Sequence, residues 1–456
     1  MLSDVYHVLG AWQSDTWKRE QGMGTSTGTQ PLHALSATDI VQAIRRGHTT
    51  CEAVARACLD HIAEREPVVQ AWQYLDADAV IAQARALDRR GSSGPLHGVP
   101  FGVKDIIDTY DMPTAYGSPI YQGHHPASDA ACVALARQAG GIVMGKTVTT
   151  EFANVFPGKT RHPHDPHRTP GGSSSGSAAA VSDGMVPLAL GTQTTASTIR
   201  PASFCGIVGY RPTYGHLRCA GVKEAAGSFD TLGLMARSIA DIALLRDVLL
   251  GDTPAPPPTA PGVPPRIGFC RTALWSRLEP STADLLEHAA TCLARAGARV
   301  EDVSLPGACE PILDMHRTIA SFEFARNFTY EIAHHWEHLS PALRQGRVRQ
   351  GLACDFATYR AALAALERCR TALAALMAPY DVLLTASAAG EAPVGLESTG
   401  DASFCALWTA AHVPAMTLPV FTGPQGLPVG AQVIGKRHED HALFATAQWV
   451  WQHLTS

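Results

Sequence analysis

A run of small residues at positions 169–181, Thr-Pro-Gly-Gly-Ser-Ser-Ser-Gly-Ser-Ala-Ala-Ala-Val, constrains the fold of this chain more than any other feature. Without side-chain bulk, backbone segments can approach closely and several serine hydroxyls can converge on one point. A flexible Gly/Ser linker would be flanked by polar residues, whereas this run is followed by the apolar segment Met185-Val-Pro-Leu-Ala-Leu190. We therefore expect the run to be buried and to present a serine nucleophile near backbone amides.

Two other catalytic motifs compete for the same residues. Gly172-Ser-Ser-Ser-Gly176 matches the nucleophile elbow of α/β-hydrolases, with Ser174 as the nucleophile. That elbow must follow a buried strand, but residues 162–170 form a proline-broken loop. The run also lacks the Gly-Lys-Ser/Thr ending of a phosphate-binding loop. Both motifs are therefore disfavoured.

Several segments together resemble the amidase signature family. They are the serine-rich loop at 171–176, a second serine element at 191–206, and the segment Leu96-His-Gly-Val-Pro-Phe-Gly-Val-Lys-Asp-Ile-Ile-Asp108. The resemblance covers roughly residues 35–456 and is strongest at 96–250. It implies an α/β fold, with a large, mixed, twisted β-sheet wrapped by helices on both faces.

Local patterns agree with that fold class. Thr49 and Glu52 form a capping box that predicts a helix start, and Val54, Cys58 and Ile62 then recur on one helical face. Helical and strand patterns alternate further along the chain. Such alternation favours an α/β architecture with helices on both sides of a sheet.

Chain length alone would suggest two or three domains for 456 residues. The resemblance implies instead a single catalytic domain at 31–456. Residues 1–30 lack a signal peptide's basic start and apolar core. They are interpreted as a poorly ordered N-terminal extension, or as residues ahead of a true start at Met23. The proline-rich, uncharged segment at 253–265 predicts an extended surface connection.

Charge and hydropathy exclude some partners. A formal net charge of -5 with 17% charged residues provides no basic field for nucleic acid. No apolar run is long enough to span a bilayer. These observations favour a small neutral partner, with no nucleic acid and no membrane. The resemblance implies that this partner is a small-molecule amide substrate.

Cysteine and histidine usage predicts neither a disulfide nor a metal site. The eleven cysteines include no CxxC pair, which is typical of reduced thiols in a cytoplasmic protein. His162, His164 and His167 lie in a proline-containing loop without a further ligand set, and are interpreted as a solvated turn. No metal and no cofactor are expected.

The resemblance also implies roles for individual residues. It makes Lys104 the base, Ser173 a bridging serine after a cis peptide bond, and Ser197 the nucleophile. Ser174 would orient Lys104 or Ser173. Burial of Lys104 in its apolar segment would lower the lysine pKa from about 10.4 toward 7 to 8. The oxyanion hole would consist of the backbone amides of Thr194, Thr195, Ala196 and Ser197.

Three positions depart from the family pattern. Thr195 and Ala196 stand where the family usually has one or two glycines, and their side chains are expected to restrict φ and narrow the approach to the oxyanion hole. Gln193 replaces an acidic residue of many members, which adds a hydrogen-bond donor at that point.

Three functions remain open from the sequence. The first is hydrolysis of the C–N bond of a small carboxamide through a serine acyl-enzyme. A second is an amidotransferase-type subunit that passes ammonia to a partner, and a third is a non-catalytic protein of the same fold. The chain is compatible with a homodimer and with a complex that contains a second subunit.

Overall fold

One large mixed sheet organises the protein. The computed structural model describes residues 30–91 and 94–455, so most of the expected N-terminal extension lies outside the described residues. Within them the eleven strands have the order β1-β3-β2-β4-β6-β5-β10-β11-β9-β7-β8. The strands are β1 Trp72–Leu75, β2 Pro100–Lys104, β3 Ile142–Thr147, β4 Leu188–Gln193, β5 Val208–Arg211, β6 Thr231–Ala236, β7 Arg266–Cys270, β8 Arg299–Val303, β9 Val382–Ala386, β10 Ala415–Thr422 and β11 Pro428–Ile434.

The helices fill the connections between these strands. They are α1 Ala37–Arg45, α2 Cys51–Val69, α3 Ala77–Arg90, α4 Ala131–Gln138, α5 Ser175–Ser182, α6 Ile199–Cys205, α7 Ile239–Leu250, α8 Pro280–Arg295, α9 Ile312–Asn327, α10 Thr329–His334, α11 Pro341–Leu343, α12 Arg349–Ala353, α13 Phe356–Met377, α14 Ser403–Ala410 and α15 Asp440–Thr455. A π-helical turn, Arg344–Val348, joins α11 to α12.

Side chains alternate between the two faces of the sheet, and both faces are covered. In β4, Leu188 and Leu190 belong to a core cluster shared with α4, α7 and α8. Ala189, between them, packs into a second cluster with α2 and α5. A third cluster joins α9, α13 and α14 to the sheet near β9 and β11. The expected α/β fold with helices on both faces is therefore confirmed.

The parallel part of the sheet positions the serine-rich segment. Strand β2 pairs in parallel with both β3 and β4. The carboxyl ends of parallel strands meet at one edge of a sheet, where α/β proteins commonly place their sites. Lys104 is the last residue of β2, and α5 packs against the strands at this edge.

Two local expectations need correction. Thr50, and not Thr49, caps α2, because its hydroxyl accepts the Ala53 amide. The expectation of reduced cysteines is wrong for Cys309 and Cys369, which form a disulfide with their Cα atoms 4.9 Å apart. The two residues are 60 positions apart and meet only because the turn ending at Cys309 packs against α13.

Other expectations from the sequence concern the surface. The segment at 253–265 contains no helix or strand and is largely exposed, as expected of an extended connection. Across residues 30–91 and 94–455, no helix is both long and apolar enough to cross a membrane.

Candidate active site

Lys104 lies fully buried at the end of β2 and contacts two hydroxyl groups. Its Nζ donates to Ser173 Oγ at 2.7 Å and to Thr192 Oγ1 at 2.7 Å. Thr192 belongs to β4, the parallel neighbour of β2, so the sheet itself brings these side chains together. The structure thus unites the predicted Lys104 and Ser173, and adds Thr192.

The serine-rich loop is held in an unusual backbone path. The peptide bond between Gly172 and Ser173 is cis, as the resemblance implied. The Thr150 amide donates to the Ser173 carbonyl at 3.2 Å, and the Arg200 guanidinium donates to the Gly172 carbonyl at 2.7 Å. Arg200 is itself buried, so both sides of the cis bond are anchored by donors from elsewhere in the chain.

Close packing behind the loop requires a glycine. A Cβ atom at Gly176 would lie 2.2 Å from the Ala71 carbonyl oxygen and 2.4 Å from the Val148 amide nitrogen. No real Cβ atom tolerates such distances. The absence of a side chain therefore lets α5 approach the strands, as the small-residue run predicted.

Ser197 lies in the loop between β4 and α6 and is 8% exposed. Its carbonyl accepts the Ser174 amide at 3.3 Å, which joins this loop to the serine-rich loop. The Ser174 hydroxyl contacts the Thr192 backbone carbonyl and amide, both at 3.3 Å, and not the Lys104 amine or the Ser173 hydroxyl. Ser174 therefore supports Lys104 only through Thr192.

Gln193 holds the end of the same loop. Its buried Oε1 accepts the amides of Thr198 and Ile199, both at 3.0 Å, and caps α6. Its Nε2 donates to Thr409 Oγ1 at 2.9 Å. In contrast, the amides of residues 194–197 have no acceptor within the part of the chain that the structure describes. The structure thus leaves these four amide donors unpaired within the described residues.

Burial sets the electrostatics of the site. Desolvation lowers the pKa of Lys104 from 10.5 to about 7, while the charge of Asp230 acts in the opposite direction. Burial also raises the pKa of Asp230 to about 6, against hydrogen bonds from Thr194 and from the amides of Ala226 and Ala225. A lysine with this pKa is about half neutral at pH 7 and largely neutral about one pH unit higher, so it can accept a proton near neutral pH.

The Ala196 side chain does not narrow the approach to the oxyanion hole, contrary to the expectation from the sequence. The Ala196 side chain is 1% exposed and belongs to the hydrophobic cluster that contains Ile199 and Phe229. Neither Thr195 nor Ala196 has a positive φ, so the backbone there does not need glycine. The expected narrowing at Ala196 is therefore wrong, because its methyl group packs into the core.

The histidine loop has a structural role. His162 is buried, and its Nε2 donates to the Phe204 carbonyl at 2.8 Å. The His164 amide donates to His162 Nδ1 at 3.2 Å. Among the residues that the structure describes, no group of three or more His, Cys, Asp or Glu side chains is placed to hold a metal ion. The predicted solvated turn is thus wrong for His162, which is buried.

Other contacts of the site come from distant parts of the chain and were missed by sequence reasoning. His316 of α9 contacts the Thr194 carbonyl through Nε2 at 2.9 Å. Thr409 of α14 donates to the Thr195 carbonyl at 2.8 Å. Both are more than 100 positions from Ser197, and no local pattern marks them. Arg200 lies in the second serine element, so its position in that motif is the one signal that could have found it.

The chain is similar to known proteins both in sequence and in fold. The chain matches the Amidase family over residues 53–444. It is 33% identical over 476 aligned positions to a glutamyl-tRNA(Gln) amidotransferase subunit of Chloroflexus aurantiacus, and the alignment covers 93% of this chain and 97% of that protein.

Solved structures show the same similarity. A crystal structure of an amidase is 30% identical, with a TM-score of 0.83, over 91% of this chain and 99% of that one. The native peptide amidase from Stenotrophomonas maltophilia is 29% identical, with a TM-score of 0.78, over 92% of this chain and 97% of that one. The family match over residues 53–444 includes the serine-rich loop and the Ser197 loop.

Proposed function

Because this chain belongs to the amidase signature family, whose members act on C–N bonds, we propose that it hydrolyses a small carboxamide through an acyl-enzyme on Ser197. The observation that carries this proposal is the 2.7 Å contact between Lys104 Nζ and Ser173 Oγ in a buried setting. A buried lysine with a pKa of about 7 is a competent base near neutral pH.

Acylation begins with the neutral Lys104 amine. Ser197 Oγ attacks the carbonyl carbon, its proton passes to Ser173, and the Ser173 proton passes to Lys104. The carbonyl oxygen gains negative charge and is stabilised by amides of the 194–197 loop. The proton then returns through Ser173 to the leaving nitrogen as the C–N bond breaks. A free amine or ammonia leaves, and Ser197 keeps the acyl group as an ester.

Deacylation repeats the relay with water. Lys104 accepts a proton from water through Ser173, and the resulting oxygen attacks the ester carbon. The proton returns to Ser197 Oγ when the acyl–oxygen bond breaks, so the products are a carboxylic acid and the free enzyme. The relay carries one proton in each half-reaction, and it needs no other group to balance.

Covalent labelling tests the nucleophile directly. We expect a fluorophosphonate to add one adduct per chain, localised to Ser197 by mass spectrometry, and Ser197→Ala to abolish labelling and turnover. Its stability should stay within about 1 kcal/mol of the parent, because only one hydroxyl is lost. The exposed Ser398→Ala is the matched control and should label like the parent. Full labelling of Ser197→Ala would refute the assignment, and an unlabelled parent would favour a non-catalytic protein.

An amidotransferase subunit is a second candidate, favoured by the near full-length match to the Chloroflexus aurantiacus amidotransferase subunit. The two functions differ in what the isolated chain does. A hydrolase turns over simple carboxamides without a partner, whereas an amidotransferase subunit would co-purify with a second chain and release ammonia from glutamine mainly in that complex. Steady-state hydrolysis of an amide panel by the chain alone, with no co-purifying protein, would support the hydrolase.

A further inference from the structure

We propose that Gln193, Thr409 and His316 are positioning residues that aim the backbone amides of Thr195 and Ala196 at the substrate carbonyl oxygen. This inference rests on the proposed amide hydrolysis and adds the side chains that hold the oxyanion hole in shape. None of the three is expected to touch the reacting atoms. His316 and Thr409 instead fix the carbonyls of Thr194 and Thr195, and Gln193 orients the Thr409 hydroxyl.

The geometry of the peptide bond links each carbonyl to the next amide. A trans peptide unit is planar, and its C=O and N–H bonds point in opposite directions. A donor that holds the carbonyl of one residue therefore fixes the direction of the following N–H. In this loop the Thr194 carbonyl is held by His316 at 2.9 Å, and the Thr195 carbonyl by Thr409 at 2.8 Å. The amides of Thr195 and Ala196 thus point away from α9 and α14.

Gln193, Thr409 and the Thr195 carbonyl form a chain of hydrogen bonds in which each group donates to the next. The Gln193 amide oxygen accepts two backbone amides, so its Nε2 must face Thr409 Oγ1, to which it donates at 2.9 Å. Thr409 Oγ1 accepts that bond and is left to give its single proton to the Thr195 carbonyl. Thr409 and Gln193 are both buried, so water does not compete for these bonds.

The glutamine side chain determines that the Thr409 hydroxyl donates to the Thr195 carbonyl. A carboxylate at position 193 could accept the Thr198 and Ile199 amides equally well, but it could not donate to Thr409. The threonine proton would then turn toward the carboxylate, and the Thr195 carbonyl would lose its donor. A glutamine at position 193 therefore has a structural consequence that a carboxylate there would not have.

His316 holds the carbonyl of Thr194, as Thr409 holds the carbonyl of Thr195. The Thr194 carbonyl can only accept, so His316 Nε2 must carry the proton. The ring stacks on Phe229 with centroids 4.5 Å apart, which fixes its orientation. Burial lowers the pKa of His316 to about 4, so the ring stays neutral at the pH of catalysis. The Thr194 hydroxyl also donates to Asp230, which holds the same residue from its side chain.

Fluorophosphonate inactivation kinetics test the proposal without knowledge of the substrate. The phosphoryl oxygen of the probe takes the place of the oxyanion, so saturation kinetics separate binding (KI) from the bond-forming step (kinact). We expect Thr409→Val to lower kinact about 10- to 100-fold, somewhat less than outright loss of an oxyanion donor, with KI within about twofold. Thr409→Ser keeps the hydroxyl and should stay within about threefold of the parent.

A double-mutant cycle distinguishes a relay from general structural damage. Gln193→Glu should lower kinact about as much as Thr409→Val, and the double variant should show little further loss, because both break one chain of bonds. Additive losses, or a Thr409→Ser variant as slow as Thr409→Val, would overturn the proposal. A folded Thr409→Val variant that labels at Ser197 with the same kinact as the parent would also overturn the proposal. That outcome leaves the proposed function standing, whereas absence of labelling in the parent would refute the proposed function itself.

Discussion

Replacing Lys104 with methionine should abolish catalysis and yet stabilise the protein near neutral pH. The Lys104 side chain is fully buried, and its pKa falls from 10.5 to about 7 on folding. The unfolded chain therefore binds more protons than the folded one between these pH values, and the free energy of unfolding of the parent rises with pH across that window. At pH 7 burial of this lysine costs on the order of 4 kcal/mol relative to a non-titrating residue.

Methionine removes that cost but also removes two hydrogen bonds. The hydroxyls of Ser173 and Thr192 lose the Lys104 contact, which costs about 1 to 3 kcal/mol in total. Lys104→Met is therefore expected to unfold with a free energy about 1 to 3 kcal/mol above that of the parent at pH 7. The difference should shrink by about 1 to 1.5 kcal/mol for each pH unit between pH 8 and pH 10.

Urea unfolding of parent and variant at pH 7, 8 and 9 measures this difference, and the change with pH does not depend on the value assigned to the lost hydrogen bonds. The exposed Lys159→Met is the matched control, and its stability should follow that of the parent at each pH. If the difference between Lys104→Met and the parent is the same at all three pH values, the lysine is not buried at a cost, and the electrostatic account of the base is refuted.

The same pKa predicts the pH dependence of the reaction. Because acylation requires the neutral amine, the inactivation rate constant should rise about tenfold per pH unit below pH 7 and level off above it. A rise that continues to pH 9 would contradict the lowered lysine pKa. Packing behind the serine-rich loop gives a further prediction: Gly176→Ala should destabilise the protein by at least about 2 kcal/mol in urea unfolding, because its Cβ would collide with the backbone of Ala71 and Val148. Gly262→Ala, whose Cβ would meet nothing within 4 Å, is the control, and equal losses in both variants would argue against the collision.

Much of the site is accessible from the sequence because its parts are local. The serine-rich loop, the second serine element and the Lys104 segment are each short, and each uses residue types that amide chemistry requires. The lowered pKa of Lys104 also follows from its apolar neighbours. The α/β class follows from periodic patterns, although the predicted cap of α2 is wrong by one residue, because Thr49 and Thr50 are adjacent and either side chain can cap a helix.

The remaining features depend on contacts between distant segments. Thr192 joins Lys104 because β2 and β4 are parallel neighbours, which the order of residues along the chain does not show. The same holds for the disulfide between Cys309 and Cys369, and for the packing of Ala196 into the core. Sequence alone thus determined which side chains are proposed to carry the chemistry. Tertiary structure decided which groups hold them in place, because His316 and Thr409 reach the loop only after the helices have packed on the sheet.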